Sequence, residues 1–578
     1  MACSKVFLGN FPELTYDIIQ YFQDDIPTLR SCILVNKFLC QITIPLLWKD
    51  PFSMKNPKNY KNFHFIEIYL QKINESDKTL LNKCGIKLPT KTFFNYSNFI
   101  KCINTRNICS IIMNWFEINR TNKNFTFSNG RIFFLLIKIF IENEAKLNTF
   151  EIEISYKYLT MGKKYFNSTF NLILDNPKFI NNLKNLKLHF NEAIKKYDFN
   201  YEFLKCFYYH CNSISSFHIR FSEYKSFKDN HFIIENQLSQ IINSQKNLKI
   251  IFSHIRYINE YMLPFSSESI PLYNIIGGNT DSSKSLKNII FHRIDFRTII
   301  YIKKAFEQLN VLESIHVIDC LIFNSNFIQQ IIDLNKPFKL ISLFIRKDEH
   351  EFFMSDENRN LQIELLMKLF QKVGEYLENI GFDLYVNDEL KYKSLEFINN
   401  YCKRIKFFGI HTSSIQKAHI VLDSVKIFEQ TLNYLSISTF TSYDEKDESR
   451  IELLLRLAHV LPCKLEYLNL YFNTQIRKNI WEVFLKSLNH VFIKKLLFKI
   501  NNLFDDFLPY IKEYIMKEKR VEYLAIEGYI EIQASTYRDK KELFFMTDEL
   551  KEFESYNIKV KEYNNLYVRA YEFIDEMY

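Results

Sequence analysis

Cys206, His210 and Cys211 stand close enough in the chain to offer three ligands to a divalent cation such as zinc. A closed site needs a fourth ligand nearby, and no Cys-X-X-Cys pair supplies one, so ordinary packing is the expectation for all three. His189, His316 and His411 fall in or beside stretches of strand character, where a general base would need a nucleophile that the sequence does not point to. The chain has no glycine loop to cradle phosphate, no serine elbow and no helix with paired metal-binding histidines, and its 10 glycines leave little room for such loops. The acidic run Asp444-Glu445-Lys446-Asp447-Glu448 reads as a solvated loop between a strand and its return helix. The expectation is a chain that is not an enzyme and that takes no metal or cofactor.

Apolar residues, by contrast, mark out a regular set of elements. One such residue followed three and five positions later by two more recurs through most of the chain. Clear copies are Leu183-Leu186-Leu188, Ile214-Phe217-Ile219, Leu286-Ile289-Phe291, Leu312-Ile315-Val317 and Leu340-Leu343-Ile345. The pattern continues at Leu432-Leu435-Ile437, Leu465-Leu468-Leu470, Ile493-Leu496-Phe498 and Val521-Leu524-Ile526, with weaker copies from Leu147, Leu248, Leu377, Cys402 and Ser555. Neighbouring copies lie roughly thirty residues apart, as in a solenoid. Between them, Phe327-Ile328-Ile331-Ile332, Ile451-Leu454-Leu455-Leu457-Ala458 and Ile480-Val483-Phe484-Leu488 have helical spacing. The alternative, a helical bundle with coincident triplets, fits poorly with the Ile, Phe and Tyr content of the strand-like pieces.

Composition agrees with an array. At 578 residues and 47% hydrophobic content the chain exceeds a single core, yet 10 Gly and 12 Pro leave no linker between separate globular units. The apolar run from Ile132 to Ile141 is interrupted by Lys138 and is too short to span a bilayer, and no basic region followed by a hydrophobic stretch opens the chain. A soluble protein of the cytoplasm or nucleus is expected, with no membrane partner. Its 11 cysteines then read as thiols, and the Asn-X-Ser/Thr sites at Asn74, Asn124 and Asn167 as unmodified. The net charge of +9 comes from interleaved signs without a long basic run, which argues against nucleic acid as a partner.

The first fifty residues differ from the rest. Leu14, Ile18 and Phe22 recur at helical spacing behind Pro12, a second short helix is expected after Pro27 with Leu29, Cys32, Ile33 and Val35, and a third after Asn36 should stop before Ile44, because Pro45 disfavours the helical region there. So small a module cannot bury all its apolar surface alone.

Two resemblances follow from these residues. Phe11-Pro12-Glu13-Leu14, Asp25-Ile26-Pro27-Thr28-Leu29, Ser31-Cys32-Ile33-Leu34-Val35-Asn36-Lys37-Phe38 and Ile44-Pro45-Leu46-Leu47-Trp48 resemble an F-box, and are especially similar to fungal F-box proteins, with Phe11 in place of the usual first Leu. The recurring triplets resemble a degenerate leucine-rich repeat array, in which Asn191, Cys320, Asn473 and Asn501 take the place where Asn or Cys satisfies backbone groups in the turn. Ile294, Asp348, Ile410, Phe440 and Tyr529 depart from that pattern. The implied fold is an α/β solenoid, a leucine-rich-repeat-like horseshoe, behind a three-helix F-box. The boundaries are 1–52 for the F-box, 53–143 for a helical linker and cap including a helix from Tyr96 to Phe116, 144–565 for the repeats and 566–578 for a closing helix.

The resemblance implies a substrate-recognition subunit of an SCF-type ubiquitin ligase. Its F-box would dock the Skp adaptor, and through it a cullin-RING ligase, using Phe11, Pro12, Leu14, Ile18, Ile19, Phe22, Leu29, Cys32, Val35 and Trp48. Some of these must form the module's own core. A target protein would meet the strand residues that alternate with buried ones: Lys187, His189, His316, Phe344, Arg346, Asn469, Tyr471, Lys499 and Glu527. The alternative is a repeat scaffold that binds protein without recruiting a ligase.

Overall fold

The computed structural model describes residues 12–53, 63–89, 92–122, 128–154, 163–190, 201–221, 231–255, 284–294, 296, 302–320, 326–345, 356–382, 386–412, 418–439, 448–473, 476–531 and 538–577. Phe11, Asn191, Arg346, Asp348, Phe440 and residues 444–447 lie outside them. The chain divides into two compact units, the boundary falling near Leu286.

Three helices open the first unit: α1 (Pro12–Tyr21), α2 (Ile26–Cys32) and α3 (Lys37–Leu47). Asp25 caps α2, its carboxylate accepting from the Thr28 amide at 3.1 Å and hydroxyl at 2.6 Å, and Asn36 caps α3 by accepting from the Leu39 amide at 2.8 Å. α3 does not stop before Ile44. It runs through Pro45, because the proline sits in the final turn, where few intrahelical bonds remain to be lost, and Ile44 and Leu46 are buried on either side of it. Ile19, Leu29, Leu39 and Leu46 form the module's core, with Phe22, Cys32, Ile42 and Leu47 packed against it.

The remainder of the first unit is a parallel ladder: β1 (Cys102–Asn104), β2 (Thr149–Ile154), β3 (Asn185–Phe190), β4 (Ser216–Phe221) and β5 (Ile250–Ile255), paired in chain order. The expected helix from Tyr96 to Phe116 is divided. A short turn at Tyr96–Phe99 leads into β1, and the helix Thr105–Asn119 begins only after Asn104, which accepts from the Asn107 amide at 3.0 Å. The ladder therefore starts inside the segment expected only to cap it. Ile100, Ile103 and Thr105 are its buried triplet, and the Thr105 hydroxyl accepts from the Glu153 amide at 2.9 Å.

One hydrogen-bond motif carries the chain from rung to rung. The carbonyl at each strand entry accepts two successive amides of the next coil: Lys101 O takes Asn148 and Thr149, Asn148 O takes Lys184 and Asn185, and Lys184 O takes Ser215 and Ser216. The series begins before β1. Lys49 O accepts from Lys101 and Cys102 at 2.9 and 3.1 Å, so the end of the three-helix module is the ladder's first rung.

The second unit repeats this construction with β6 (Asn288–His292), β7 (Ser314–Cys320), β8 (Leu340–Ile345), β9 (Asn379–Phe382), β10 (Phe407–Thr412), β11 (Tyr434–Thr439), β12 (Lys464–Phe472), β13 (Phe492–Leu503) and β14 (Val521–Glu531), each parallel to the next. Every connection between consecutive strands carries a helix, and neighbouring helices pack on one another. β15 (Arg538–Glu542) pairs antiparallel with β14, and β16 (Lys559–Val560) pairs parallel with it. Among the described residues both units are open ladders in which sequential strands are neighbours and helices form the return path, an α/β solenoid-like fold. Along each strand alternate residues such as Leu186 and Leu188, or Leu468 and Leu470, are fully buried. The other alternates form a second face, here called the open face.

Two turn expectations change with this parity. Cys320 acts as expected, its thiol accepting from the Ile294 amide at 3.3 Å. Asn473 is exposed. Asn502, not Asn501, holds the neighbouring coil: its carboxamide oxygen accepts from the Ile476 amide at 3.0 Å and from Trp481 Nε1 at 3.3 Å, and its nitrogen donates to Ile476 O at 2.6 Å. The strand continues past Phe498, so the inward parity of Leu496, Phe498 and Ile500 reaches Asn502. In β10 the triplet in register with Leu432-Leu435-Ile437 is Ile405-Phe408-Ile410, although Cys402 and Phe407 are buried as well.

Candidate functional site

Folding separates the apolar residues of the three-helix module into three groups. Ile19 and Leu29 are core and cannot meet a partner, while Ile18, Phe22 and Cys32 are half-buried. Trp48 faces the linker, its indole 4.1 Å from the Tyr96 ring and 5.4 Å from that of Tyr69, so it joins the module to the ladder. Pro12, Leu14 and Val35 are exposed. With them, and missed from the sequence, lie Tyr16, Tyr21, Ile26 and Leu34; Leu34 is 84% and Val35 64% accessible. The signal for Leu34 was present, because it is adjacent to Val35 just before the Asn36 cap, where neither side chain can turn into a helix face.

The open face of the first unit is polar. Arg106 meets Glu153 at 3.5 Å, and His189 meets Glu151 at 3.5 Å, with Lys187 on the strand of His189 and His218 and Arg220 on the next. Burial, and then the positive charges of Arg220, Lys187 and Arg106, push the His189 imidazole down to about 3. Burial with Lys187 does the same to His218, also to about 3. Burial raises Glu151, and it pushes the Asp50 carboxyl up to about 6. Lys187 and His189 are thus only half accessible and belong to a charge network.

In the second unit the contact candidates that are described lie on the open face, but most are covered. His316 is 0% accessible, held by Ser342 Oγ at 2.8 Å and Ser314 Oγ at 3.2 Å. Phe344 is buried against the Phe407 ring, and Asn469 is 0% accessible. Glu527 is buried between Lys499 at 3.1 Å and Lys540 at 3.0 Å; Lys499 also lies over the Tyr471 ring at 4.8 Å. His411 is half-buried, with Lys391 Nζ donating to its carbonyl.

Over Asn469 and the aromatic residues of this face lies the chain's own C-terminal segment. The Tyr563 hydroxyl donates to Asn469 Oδ1 at 2.7 Å, and the Val568 amide donates to Tyr467 Oη at 3.2 Å. Farther along, Phe573 meets the rings of Tyr434 at 4.8 Å and Phe407 at 5.1 Å, and Tyr571 stacks on His292 at 4.3 Å. The closing helix expected from residue 566 is reduced to Ala570–Asp575, lying against β7. Sequence periodicity could not show this, because the segment crosses strands far from it in the chain.

The other chemical candidates are not assembled. Cys206 and Cys211 are buried thiols, Cys211 donating to Ile180 O at 3.2 Å, and burial pushes Cys211 up to about 12; His210 is exposed and apart from them in burial. Among the described residues no group of three His, Cys, Asp or Glu side chains is placed to hold a metal, no helix is long and apolar enough to cross a membrane, and the cysteines are free. No protein-family model and no curated protein matches the chain.

Proposed function

We propose that the chain is a substrate-recognition adaptor of an SCF-type ubiquitin ligase, its N-terminal three helices being an F-box that docks the Skp adaptor and its leucine-rich-repeat-like ladder holding a target protein. The observation that carries the reading is the division of apolar residues in the module. Ile19, Leu29, Leu39 and Leu46 form the core, while Leu14, Tyr21, Ile26, Leu34 and Val35 stay accessible. Large apolar side chains left accessible on so small a module support a docking role. Trp48 and Lys49 tie that face to the ladder, so a partner on the module is held at a fixed position relative to the open face of the first unit. Such a bridge performs no bond chemistry. It raises the local concentration of target lysines near the ubiquitin donor.

The test is binding of purified Skp adaptor to the full chain and to Leu34→Asp/Val35→Asp. Capture by the full chain, weakened by roughly tenfold or more in the double variant with unchanged thermal unfolding, is expected. No capture, or equal capture by both, overturns the ligase reading and leaves a repeat scaffold that binds protein on its own account.

A further inference from the structure

The last residues of the chain do more than close the ladder. The outer edge of β14 is already taken, by β16 at Tyr523 and Leu524 and by β15 from Glu527 to Glu531. A terminal cap needs to cover only that end. The segment from Tyr563 instead turns back and lies over the open face, crossing from β12 by way of β11 and β10 to β6 and β7. It adds no strand to the ladder and is held largely by side chains.

The surface beneath it differs in chemistry from the helix-facing side of the same strands. There Leu, Ile and Phe pack as a core; here Tyr467, Leu497 and Ala525 pack with Tyr563 and Leu566, and Ser436, Asn469 and Tyr434, with His316 and Ser342 farther on, add hydrogen-bonding and aromatic contacts. Tyr, Ser and Asn are the residues of adaptable protein-binding surfaces, because rigid rings supply area and short polar groups supply hydrogen bonds. The segment answers in kind. Tyr563, Tyr567 and Tyr571 recur at helical period, Phe573 follows, and Glu562, Glu572, Asp575 and Glu576 flank them.

We propose that the open face of the second unit is a peptide groove, that Tyr563–Asp575 is its resident occupant, and that a target protein binds there through a short aromatic segment flanked by carboxylates, which displaces the resident. This rests on the reading that the ladder holds a target protein and is independent of adaptor docking. A tethered occupant competes at an effective concentration of millimolar order, so loosening it strengthens binding of the same sequence supplied from outside.

The experiment titrates a fluorescent peptide of residues 562–577 into the full-length chain, into Tyr563→Ala/Phe573→Ala, and into that variant carrying Tyr434→Ala as well, with no adaptor present. Binding at least roughly tenfold tighter to the double variant than to the natural chain, and lost again with Tyr434→Ala, is expected. A double variant that binds no better than the natural chain overturns the proposal. Should the double variant lose cooperative unfolding, Phe573→Ala alone, at the far end of the segment, carries the same comparison. Hydrogen exchange on the natural chain gives an independent reading: amides of 563–575 are expected to exchange by local release, well before those of β10 to β13. Exchange of both sets only on global unfolding would make the segment part of the core and defeat the proposal. Failure of either test leaves adaptor docking untouched.

Discussion

The phenol of Tyr563 donates to the carboxamide oxygen of Asn469 at 2.7 Å, while the Asn469 nitrogen donates to Ser436 Oγ at 3.0 Å. One side chain thus joins the C-terminal segment to two adjacent strands. Asn469→Ala would leave the Tyr563 hydroxyl without this acceptor under a covered face. The expected loss is about 2 kcal/mol in chemical denaturation, with faster hydrogen exchange in the segment from Tyr563 onward.

Asn502 and Asn501 are neighbours with opposite expectations. Asn502→Ala strips partners from the Ile476 amide, the Ile476 carbonyl and the Trp481 indole, all beside a fully buried side chain, and should cost about 3 kcal/mol or more. Asn501→Ala, half-exposed, should stay within about 0.5 kcal/mol. Denaturation midpoints of the two variants measured together decide between the two residues as holder of the turn.

His316 is expected to make stability depend on pH. Burial holds its imidazole down to about 3, so the native state stays unprotonated where the unfolded chain, with a pKa of about 6.5, takes up a proton. The unfolded state binds more protons between those values, and stability must fall as pH is lowered through that window. His189 and His218, pushed down to about 3, and His411, pushed down to about 4, act with the same sign; Asp50, pushed up to about 6, opposes them over part of the range. Denaturation midpoints should decline from pH 7 to pH 4, and His316→Gln should decline less steeply. Superimposable profiles would show that His316 does not contribute.

Ile19→Asp and Leu34→Asp separate core from surface in the N-terminal module. The first buries an unpaired carboxylate and should unfold the three helices; the second should leave thermal unfolding within about 2 °C of the natural chain. Trp48→Ala, which removes the ring packed on Tyr96 and Tyr69, should cost about 3 kcal/mol and loosen the module first, seen as faster exchange of amides in 12–48.

How far the fold was legible follows from what each residue reports. Leu186 and Leu188, or Leu496 and Phe498, are buried strand residues because an alternating pair behind a leading apolar residue has few other uses. Where the third member is polar the pattern fails: Thr105 completes the rung of β1 with a hydroxyl bonded to the backbone of the next, and so β1 was read as helix. The helix-forming run into Cys402 similarly obscured the true triplet from Ile405. For the open face, strand parity correctly assigned Asn469, Phe344 and His316 to one side but not their accessibility. For Asn469 that depended on a segment some hundred residues away, and local periodicity carries no record of such contacts.

Because Lys49 O is the acceptor for two successive amides at the entry of the first strand, the three helices also cover the sheet's leading edge. Excising them would bare the amides of Lys101 and Cys102 together with the rings of Tyr69 and Tyr96, an unprotected strand edge beside an apolar patch. A chain so shortened is expected to self-associate, which size-exclusion chromatography of residues 53–578 would show as a shift to higher mass.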